Sequence, residues 1–307
     1  MRALVYLPMI LITGGSGQLG NALADLAAER RLAFKSVSRP EFDFEDPASI
    51  DACFAAAKPD LVINAAAYTA VDAAETHVEA ATAGNHTGPL RLAQLCEAAG
   101  IPFIHVSTDY VFDGAKGAPY VETDPTGPTG VYGATKRDGE EAIMATHAKA
   151  IILRTAWVYA AHGKNFARTM LGAGRKLPKL RVVADQHGTP TAAPDLARAI
   201  LDIALKLKTS GWQEGYKGIY HATGTGETSW HGFATRIFEA AAALGQPAPA
   251  LEAITTADWP TPARRPADSR LDCTKLTQVF GVSLPEWTLS LPPIVAKLLE
   301  MDTPTQP

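Results

Sequence analysis

The sequence predicts an α/β fold in which helices cover both faces of a parallel β-sheet. In the first half of the chain, short apolar runs alternate with alanine-rich stretches of helical length. Two of these runs, "LVIN" and "AIILR", are apolar at nearly every position, as expected for strands that are buried on both faces. Regular alternation of strand and helix indicates parallel strands joined by crossover helices. The expected architecture is therefore a Rossmann-like, doubly wound parallel sheet.

The predicted elements follow one another without a break. The strands are "MILIT", "FKSVS", "DLVINAA", "PFIHVST" and "AIILRT", and the helices between them are "QLGNALADLAAER", "DPASIDACFAAA", "HTGPLRLAQLCEAAG" and "TKRDGEEAIMATHA". After Trp157 the chain becomes irregular and rich in glycine, proline and threonine, which is typical of a smaller domain that closes over a ligand. The helix "PDLARAILDIALKLK" then returns to the sheet.

These boundaries predict two interleaved domains. The dinucleotide-binding Rossmann domain comprises residues 9–164 plus about 194–222. The smaller C-terminal substrate-binding domain comprises about 165–193 plus 223–307. Residues 1–8 are interpreted as a short extension, with the fold beginning near Met9.

The composition is that of an ordinary globular protein. Among 307 residues, 47% are hydrophobic and 20% are charged, and the net charge of -4 provides no field that attracts nucleic acid or anionic lipid. Cys53, Cys96 and Cys273 lie far apart without a CxxC spacing, so neither a disulfide framework nor a zinc site is indicated. No apolar segment approaches the roughly 18 residues of a membrane span. We therefore predict a cytoplasmic protein with no nucleic-acid or membrane partner.

A glycine-rich turn follows the first predicted strand. In "ILITGGSGQLGNAL", Gly14, Gly17 and Gly20 stand between a strand and a helix. A pyrophosphate requires this order, because it needs a tight turn, a backbone without Cβ atoms and a helix N-terminus with free N–H groups. A P-loop would need Lys-Ser/Thr after the last glycine, where this chain has Asn-Ala. The predicted cofactor contacts at this turn are Gly14, Gly17, Gln18 and Leu19.

The end of the second strand bears on the choice of cofactor. An NAD-selective site usually carries an acid there, whereas this chain has Ser38 and Arg39, whose donors and charge suit a 2'-phosphate. NADPH is therefore expected. In the alternative, Arg39 is a surface residue, Glu41 binds the ribose, and NADH is used. The predicted contacts on this side of the cofactor are Ser38, Arg39, Asp43, Phe44 and the small residues Ala65, Ala66 and Ala67.

Three side chains form a candidate catalytic group. Thr108 ends the fourth strand, and Tyr132 and Lys136 lie four positions apart in the next helix, on one face. A phenol with a pKa of about 10 is a poor acid at neutral pH, but a cation one turn away lowers that pKa. Packing alone would explain each residue singly; together with the glycine turn they favour catalysis. Asp109 is either a substrate contact or a loop cap.

The order of these motifs resembles the extended short-chain dehydrogenase/reductase superfamily. The segments "GQLG", "NAAAYTAVDAAE", "STDYVFDG", "PYVETDPTGPTGVYGATKRDGEE", "LRTAWVYAAHGKNFARTM", "DQHGTPT" and "PTPARRPADSRLD" narrow the resemblance to the dTDP-4-dehydrorhamnose reductase family, from Met9 to about Trp287. The resemblance implies NAD(P)H-dependent reduction of the 4-keto group of dTDP-4-dehydro-L-rhamnose. It also implies that Tyr132 supplies a proton, that Lys136 holds the cofactor ribose, and that Thr108, Asp109 and Trp157 contact this nucleotide sugar.

Two other functions remain open at this stage. A nucleotide-sugar epimerase of the same superfamily would keep its nicotinamide tightly bound, and the sequence does not exclude it. A non-catalytic NADP-binding subunit should have lost part of the Thr/Tyr/Lys set, which this chain retains. The related 4,6-dehydratases resemble a Thr-Asp-Glu pattern, whereas this chain has Tyr110 after Thr108 and Asp109.

The C-terminal half gives weaker indications. Arg264 and Arg265 either bind the substrate's diphosphate or brace a loop, and Asn165 and Phe166 stand where a substrate-facing loop is expected. No two histidines share the i, i+4 spacing of a helical metal site, so no metal ligand is assigned. The resemblance implies Mg²⁺ held between subunits by carboxylates. The first helix begins without an acid, so Mg²⁺ and a homodimer both stay open.

Overall fold

The computed structural model describes residues 9–301, and the proposed N-terminal extension lies outside the described residues. The strands are β1 (Ile10–Thr13), β2 (Phe34–Val37), β3 (Leu61–Asn64), β4 (Phe103–Thr108), β5 (Ala150–Thr155), β6 (Val158–Tyr159), β7 (Lys179–Val183), β8 (His187–Gly188), β9 (Thr191–Ala192), β10 (Gly218–His221), β11 (Thr228–Ser229) and β12 (Ala250–Ile254). The α-helices are α1 (Gln18–Glu29), α2 (Pro47–Ala57), α3 (Val71–Ala74), α4 (Val78–Thr82), α5 (Gly88–Ala99), α6 (Val131–Thr146), α7 (Phe166–Gly174), α8 (Ala193–Ser210), α9 (Trp230–Ala242), α10 (Thr274–Phe280) and α11 (Trp287–Met301).

The central sheet confirms the predicted Rossmann-like fold. In the described part of the chain it has six strands in the order β10-β5-β4-β3-β1-β2, and every neighbouring pair is parallel. The register places Thr13 beside Asn64, and Asn64 beside His105. Because the strands run in one direction, their carboxyl ends meet along one edge of the sheet, where ligands of such sheets bind.

Both faces of the sheet are covered, which explains the uninterrupted apolar strands. Along β1, Ile10 and Ile12 belong to the core under α1 and α8, while Leu11 points into the core under α2, α5 and α6. All three side chains are almost completely buried. Alternate residues of a strand face opposite sides, so a strand between two helical layers needs apolar residues at each position.

A second core lies beside the sheet and contains the elements that the irregular sequence concealed. It gathers apolar side chains of α7, α9 and α11 around Phe233, and the parallel pair β7–β12 borders it through Leu180 and Val182. In contrast, Leu276 and Phe280 of α10 pack into the sheet's own core. The division into two domains stays a prediction.

The described residues also bear on membranes and metals. Within residues 9–301, no helix combines the length and apolarity that crossing a bilayer requires. The same residues contain no cluster of three or more His, Cys, Asp or Glu side chains arranged for a metal ion. Cys53, Cys96 and Cys273 are free thiols.

Candidate active site

A cleft of about 630 Å³ opens at the carboxyl edge of the sheet. The ends of β1 to β5 and the first turns of α1 and α6 form its walls. The structure brings all the site residues named from the sequence into this cleft: Gly14, Gly17, Gln18, Leu19, Ser38, Arg39, Asp43, Phe44, Ala65, Ala66, Ala67, Thr108, Asp109, Tyr132, Lys136 and Trp157. Their individual roles stay predictions.

The glycine turn has the geometry that a dinucleotide phosphate requires. Gly14 has a φ of +77°, and a Cβ there would lie 2.7 Å from the backbone of Ala65. A Cβ on Gly20 would lie 2.0 Å from the carbonyl oxygen of Gly14, so α1 can pack against the turn only through glycine. Helix α1 begins after Gly17 without a side-chain cap, and its free N–H groups suit an anion.

The exposed guanidinium of Arg39, just after β2, lines the cleft. The Arg39 side chain is 72% exposed, and its guanidinium lies 3.9 Å from the Glu45 carboxylate. Glu41, the alternative ribose ligand, instead accepts a 2.7 Å hydrogen bond from Lys35 Nζ and does not line the cleft. This arrangement favours Arg39 over Glu41 as the residue that meets the cofactor.

Thr108 and Tyr132 meet across the cleft. The hydroxyl of Thr108 lies close enough to the Tyr132 phenol to lower the pKa of that phenol, and it also lies 3.0 Å from Asp109 Oδ1. Helix α6 begins one residue before Tyr132, and its first N–H, on Val131, donates to Glu75 Oε1 at 2.9 Å. The tyrosine therefore lies between the end of β4 and the first turn of α6, whose backbone Glu75 holds.

The predicted lowering of the Tyr132 pKa is wrong for this structure. Burial raises the Tyr132 pKa to about 12, and the Thr108 hydroxyl opposes this rise. The ammonium points beneath the cleft, with Nζ 2.7 Å from the carbonyl oxygen of Val106 and 3.2 Å from His105 Nε2. Burial also lowers the pKa of Lys136, to about 8, so its charge is held less firmly than that of a surface lysine. Helical spacing placed both residues on one face but did not determine where the flexible amine points.

The strand ends around Thr108 carry unsatisfied polar atoms. Ser107 Oγ, Asp109 Oδ2 and Thr155 Oγ1 are buried and make no well-formed hydrogen bond with any residue of the 9–301 range. Burial raises the pKa of Asp109 to about 6, against the opposing effects of the Ser269 and Thr108 hydroxyls. Buried polar groups are rarely left unpaired, so these atoms favour a polar ligand in the cleft. For Asp109, this favours a ligand contact over a loop cap.

Trp157 forms a flat wall of the cleft. Its φ of +46° lies in the left-handed region, which is strained for a bulky residue. Its indole stacks on Trp230 with ring centroids 3.5 Å apart and planes 9° from parallel. A Cβ on Gly188 would lie 2.5 Å from the same indole. This packing holds the indole in a fixed position at the wall of the cleft.

Other cleft residues escaped the sequence analysis. Ser16, Tyr68, Tyr110, Thr155 and Lys164 line the cleft; each stands in a quoted segment, but none had been assigned a role in the site. For Thr155 a signal existed, because it ends a strand next to β4 in the same parallel sheet. The side chain of Lys164 gave no such signal, since it lies in an irregular loop whose path only the folded chain defines.

Three candidate residues of the C-terminal half, whose roles the sequence left undecided, contact other parts of the protein. Arg265 makes a two-pronged contact with Asp72, at 2.6 and 2.9 Å, which favours the bracing role. Asn165 caps α7 and donates to Gln18 Oε1 at 3.0 Å, so it links the second core to the cofactor helix. Phe166 packs its ring against Trp230.

The fold, the glycine turn and the Thr108–Tyr132 pair define a dinucleotide-dependent oxidoreductase of the short-chain dehydrogenase/reductase class. A family model described as "RmlD substrate binding domain" matches residues 8–300. A dTDP-4-dehydrorhamnose reductase of Sinorhizobium fredii is 41% identical over 94% of this chain and 97% of its own length. The chain therefore belongs to the dTDP-4-dehydrorhamnose reductase family.

Solved structures of similar proteins agree with this assignment. A dTDP-4-dehydrorhamnose reductase from Clostridium acetobutylicum has a TM-score of 0.86 and 36% identity, with 95% of this chain and 100% of that chain covered. The Bacillus anthracis enzyme of the same name, solved in complex with NADP, has a TM-score of 0.86 and 30% identity over 95% of this chain and 99% of that chain.

Proposed function

We propose that this chain reduces the C4 keto group of dTDP-4-dehydro-L-rhamnose with NADPH and releases dTDP-L-rhamnose. The observation that carries the proposal is the pair of neighbouring hydroxyls on Thr108 and Tyr132, which lies in the same cleft as the glycine turn. The pair supplies an O–H donor and a second hydroxyl for one carbonyl oxygen. The glycine turn supplies the phosphate site that a dinucleotide requires.

In the proposed reaction, bound NADPH supplies the hydride that reduces the carbonyl carbon. Tyr132 donates its phenolic proton to the carbonyl oxygen, which becomes the C4 hydroxyl, and Thr108 holds that oxygen in place. With a pKa of about 12, Tyr132 is fully protonated at neutral pH, as a proton donor must be. Proton transfer leaves Tyr132 as a phenolate, and a neighbouring cation lowers the free energy of that negative charge.

Lys136 is the proposed source of that positive charge. It lies one helical turn from Tyr132 on the same face and lines the same cleft. A ribose hydroxyl between the two residues would give the ammonium a second hydrogen-bond partner beside Val106. We assign Lys136 the roles of holding the ribose and stabilising the phenolate.

The substrate is proposed to lie between Asp109 and Trp157. The buried Asp109 carboxylate, with one oxygen lacking a well-formed partner among the described residues, suits a sugar hydroxyl. The Trp157 ring offers an apolar face to the pyranose. The exposed Arg39 guanidinium supports NADPH over NADH, and the free cysteines suit a reducing cytoplasm.

The decisive experiment adds dTDP-4-dehydro-L-rhamnose to the purified protein and follows NADPH absorbance, with the product identified by mass and NMR. We expect stoichiometric oxidation of NADPH and formation of dTDP-L-rhamnose. An epimerase or a non-catalytic subunit gives no net oxidation, so a stable absorbance with authentic substrate contradicts the proposal. Protein that is purified with tightly held nucleotide and interconverts sugar epimers would point to epimerisation.

A further inference from the structure

A line of buried side chains runs beneath the cleft from β1 to α6. Thr13 Oγ1 donates to Asn64 Oδ1 at 2.5 Å, and Asn64 Nδ2 lies 2.8 Å from His105 Nδ1. On its other side, His105 Nε2 lies 3.2 Å from Lys136 Nζ. Thr13, Asn64, His105 and Lys136 are each at most 1% exposed. The aligned register of β1, β3 and β4 brings the first three of these residues side by side.

The orientation of the Asn64 amide is determined by its surroundings. The backbone N–H of Ala66 donates to Asn64 Oδ1 at 3.1 Å, and the Thr13 hydroxyl donates to the same oxygen. Turning the amide over would place its NH₂ group against the N–H of Ala66 and leave that donor unpaired, which is costly inside a protein. The NH₂ group therefore points at His105.

This orientation determines the tautomer of His105. A nitrogen that accepts a hydrogen bond carries no proton, so the neutral imidazole holds its proton on Nε2 when Asn64 donates to Nδ1. Burial and the nearby Lys136 hold the His105 pKa well below its ordinary value, which keeps the ring neutral. His105 consequently presents an N–H, and not a lone pair, to the lysine.

An N–H facing Nζ distinguishes the two charge states of Lys136. The uncharged amine can accept from His105 Nε2–H while it donates to the Val106 carbonyl and still has one N–H for the cleft. The ammonium has three N–H groups and no acceptor site, so one of them opposes the imidazole N–H. Charging Lys136 in an undistorted network therefore requires the imidazole proton to move to Nδ1 and the Asn64 amide to turn.

We propose that His105 is a positioning residue, which Asn64 orients, and that its tautomer is coupled to the charge of the Lys136 side chain. The inference rests on the proposed function only for its catalytic consequence, because the coupling itself belongs to the ligand-free protein. In the reductase, the ammonium supports the phenolate of Tyr132. The two residues below the cleft would thus set the pH above which turnover declines.

The charged group nearest to Lys136 on its own helix favours the ammonium form, in contrast to His105 and burial. Glu140, one turn further along α6, raises the Lys136 pKa, and its carboxylate is already paired with Arg154 of β5 at 2.6 Å. Tyr132, one turn back, is neutral at these pH values. From β4 the group that faces the amine is His105. With burial, the Lys136 pKa is about 8, so the two charge states exchange within the range where the enzyme can be assayed.

The first test reads the tautomer directly, without substrate or cofactor. Protein labelled with ¹⁵N-histidine is followed by NMR from pH 6 to pH 10, and the His105 signal is identified by its absence from His105→Phe or His105→Gln. We expect the neutral Nε2–H tautomer above pH 8 and a growing Nδ1–H fraction as Lys136 gains its proton at lower pH. An Nδ1–H tautomer at pH 10, or a tautomer that is constant over the whole range, overturns the proposal.

A second test uses Asn64→Asp, which preserves shape but replaces the NH₂ donor with a carboxylate. The imidazole proton should then stay on Nδ1 at every pH. The decline of kcat at high pH should begin about one pH unit or more higher than in the wild type, because the nearby carboxylate and an Nε2 that accepts a hydrogen bond both favour the ammonium form of Lys136. If kcat of the active variant declines at the same pH as in the wild type, the coupling is contradicted. An inactive but folded enzyme with the expected tautomer change would instead count against the proposed reaction.

His147→Phe is the matched control for loss of a buried imidazole. His147 also packs on Phe103, with ring centroids 6.2 Å apart compared with 5.9 Å for His105. It follows the last residue of α6, and its Nδ1 contacts Glu97 of α5. We expect this variant to lose stability while the His105 tautomer and the pH profile stay as in the wild type. A shift of the profile in His147→Phe as large as that in Asn64→Asp would show that general destabilisation moves it, and would overturn the assignment.

Discussion

The Thr108 hydroxyl lies close enough to the phenol of Tyr132 to lower its pKa, so the end of β4 and the first turn of α6 meet in the cleft. Removing that hydroxyl with Thr108→Val keeps the side-chain shape. We expect kcat to fall about 10²- to 10³-fold, the usual effect of losing one donor to a reacting oxygen. Steady-state assays of NADPH oxidation measure the change.

Thr191→Val provides the control for Thr108→Val. Thr191 is also fully buried, but its hydroxyl accepts from the Gly224 N–H at 3.2 Å, outside the cleft. This variant should be less stable and yet turn over at nearly the wild-type rate. Equal losses of kcat in the two variants would show that Thr108 has only a structural effect.

Arg39→Ala tests the cofactor preference. The guanidinium is exposed beside the cleft and has only a distant partner, so its removal should weaken NADPH binding more than NADH binding. We expect the KM for NADPH to rise about tenfold or more, which corresponds to roughly 1.4 kcal/mol. Arg236→Ala is the control, since Arg236 is similarly exposed and pairs with Glu239 away from the cleft. Equal effects on the two cofactors would remove the basis for NADP preference.

Gly20→Ala tests whether α1 must approach the turn through glycine. The added Cβ would lie 2.0 Å from the Gly14 carbonyl oxygen, which forces the turn and helix apart. We expect weaker NADPH binding, measured by fluorescence titration, and a lower free energy of unfolding. Gly172→Ala is the matched control, because a Cβ there meets nothing within 4 Å and the residue lies in a helix. Unchanged NADPH affinity in Gly20→Ala would contradict the proposed phosphate site.

Asp109→Asn should separate stability from function. Burial raises the Asp109 pKa from 3.8 to about 6, so the folded state binds its proton more tightly than the unfolded state does. The stability contributed by this group is present below pH 4 and is lost as the pH rises to 6 and above. Asparagine has no proton to lose, so at pH 7.5 the variant should be more stable by up to about 3 kcal/mol. Urea unfolding at pH 4 and pH 7.5 measures this difference.

The same variant should be a poorer enzyme. If Asp109 contacts a sugar hydroxyl, Asp109→Asn raises the KM for the nucleotide sugar and leaves the KM for NADPH nearly unchanged. A variant whose stability follows the wild-type pH dependence would contradict the assigned burial of a charged carboxylate. Unchanged substrate kinetics would show that Asp109 is a loop cap after all.

Sequence alone was sufficient for the part of the fold in which local and global patterns agree. The strands β1, β3 and β5 are apolar at most positions on both faces, and the glycine turn follows β1 directly, so their place in a parallel sheet could be predicted. The second core was obscured because its signals conflict. Helix α11 contains Pro292 and Pro293, and α9 follows a run of glycine and threonine that suggested a loop.

The site was predictable as a set of residues but not as a network. Parallel strand ends must meet at one edge, which placed Thr108 and the alanines near the cofactor turn. The contact between His105 and Lys136 depends on which way a flexible amine turns inside the folded protein. Helical spacing put Lys136 below Tyr132 and suggested a depressed phenol pKa, whereas burial raises it.

The most direct test of the central claim is the turnover of Tyr132→Phe with dTDP-4-dehydro-L-rhamnose, measured together with its affinity for NADPH. The change removes one oxygen atom and keeps the ring that packs edge-on against Tyr110. The account predicts that kcat falls about 10²- to 10⁴-fold, the range of a lost general acid, while NADPH binds as in the wild type. Turnover close to that of the wild-type enzyme would contradict the assignment of Tyr132 as the proton donor.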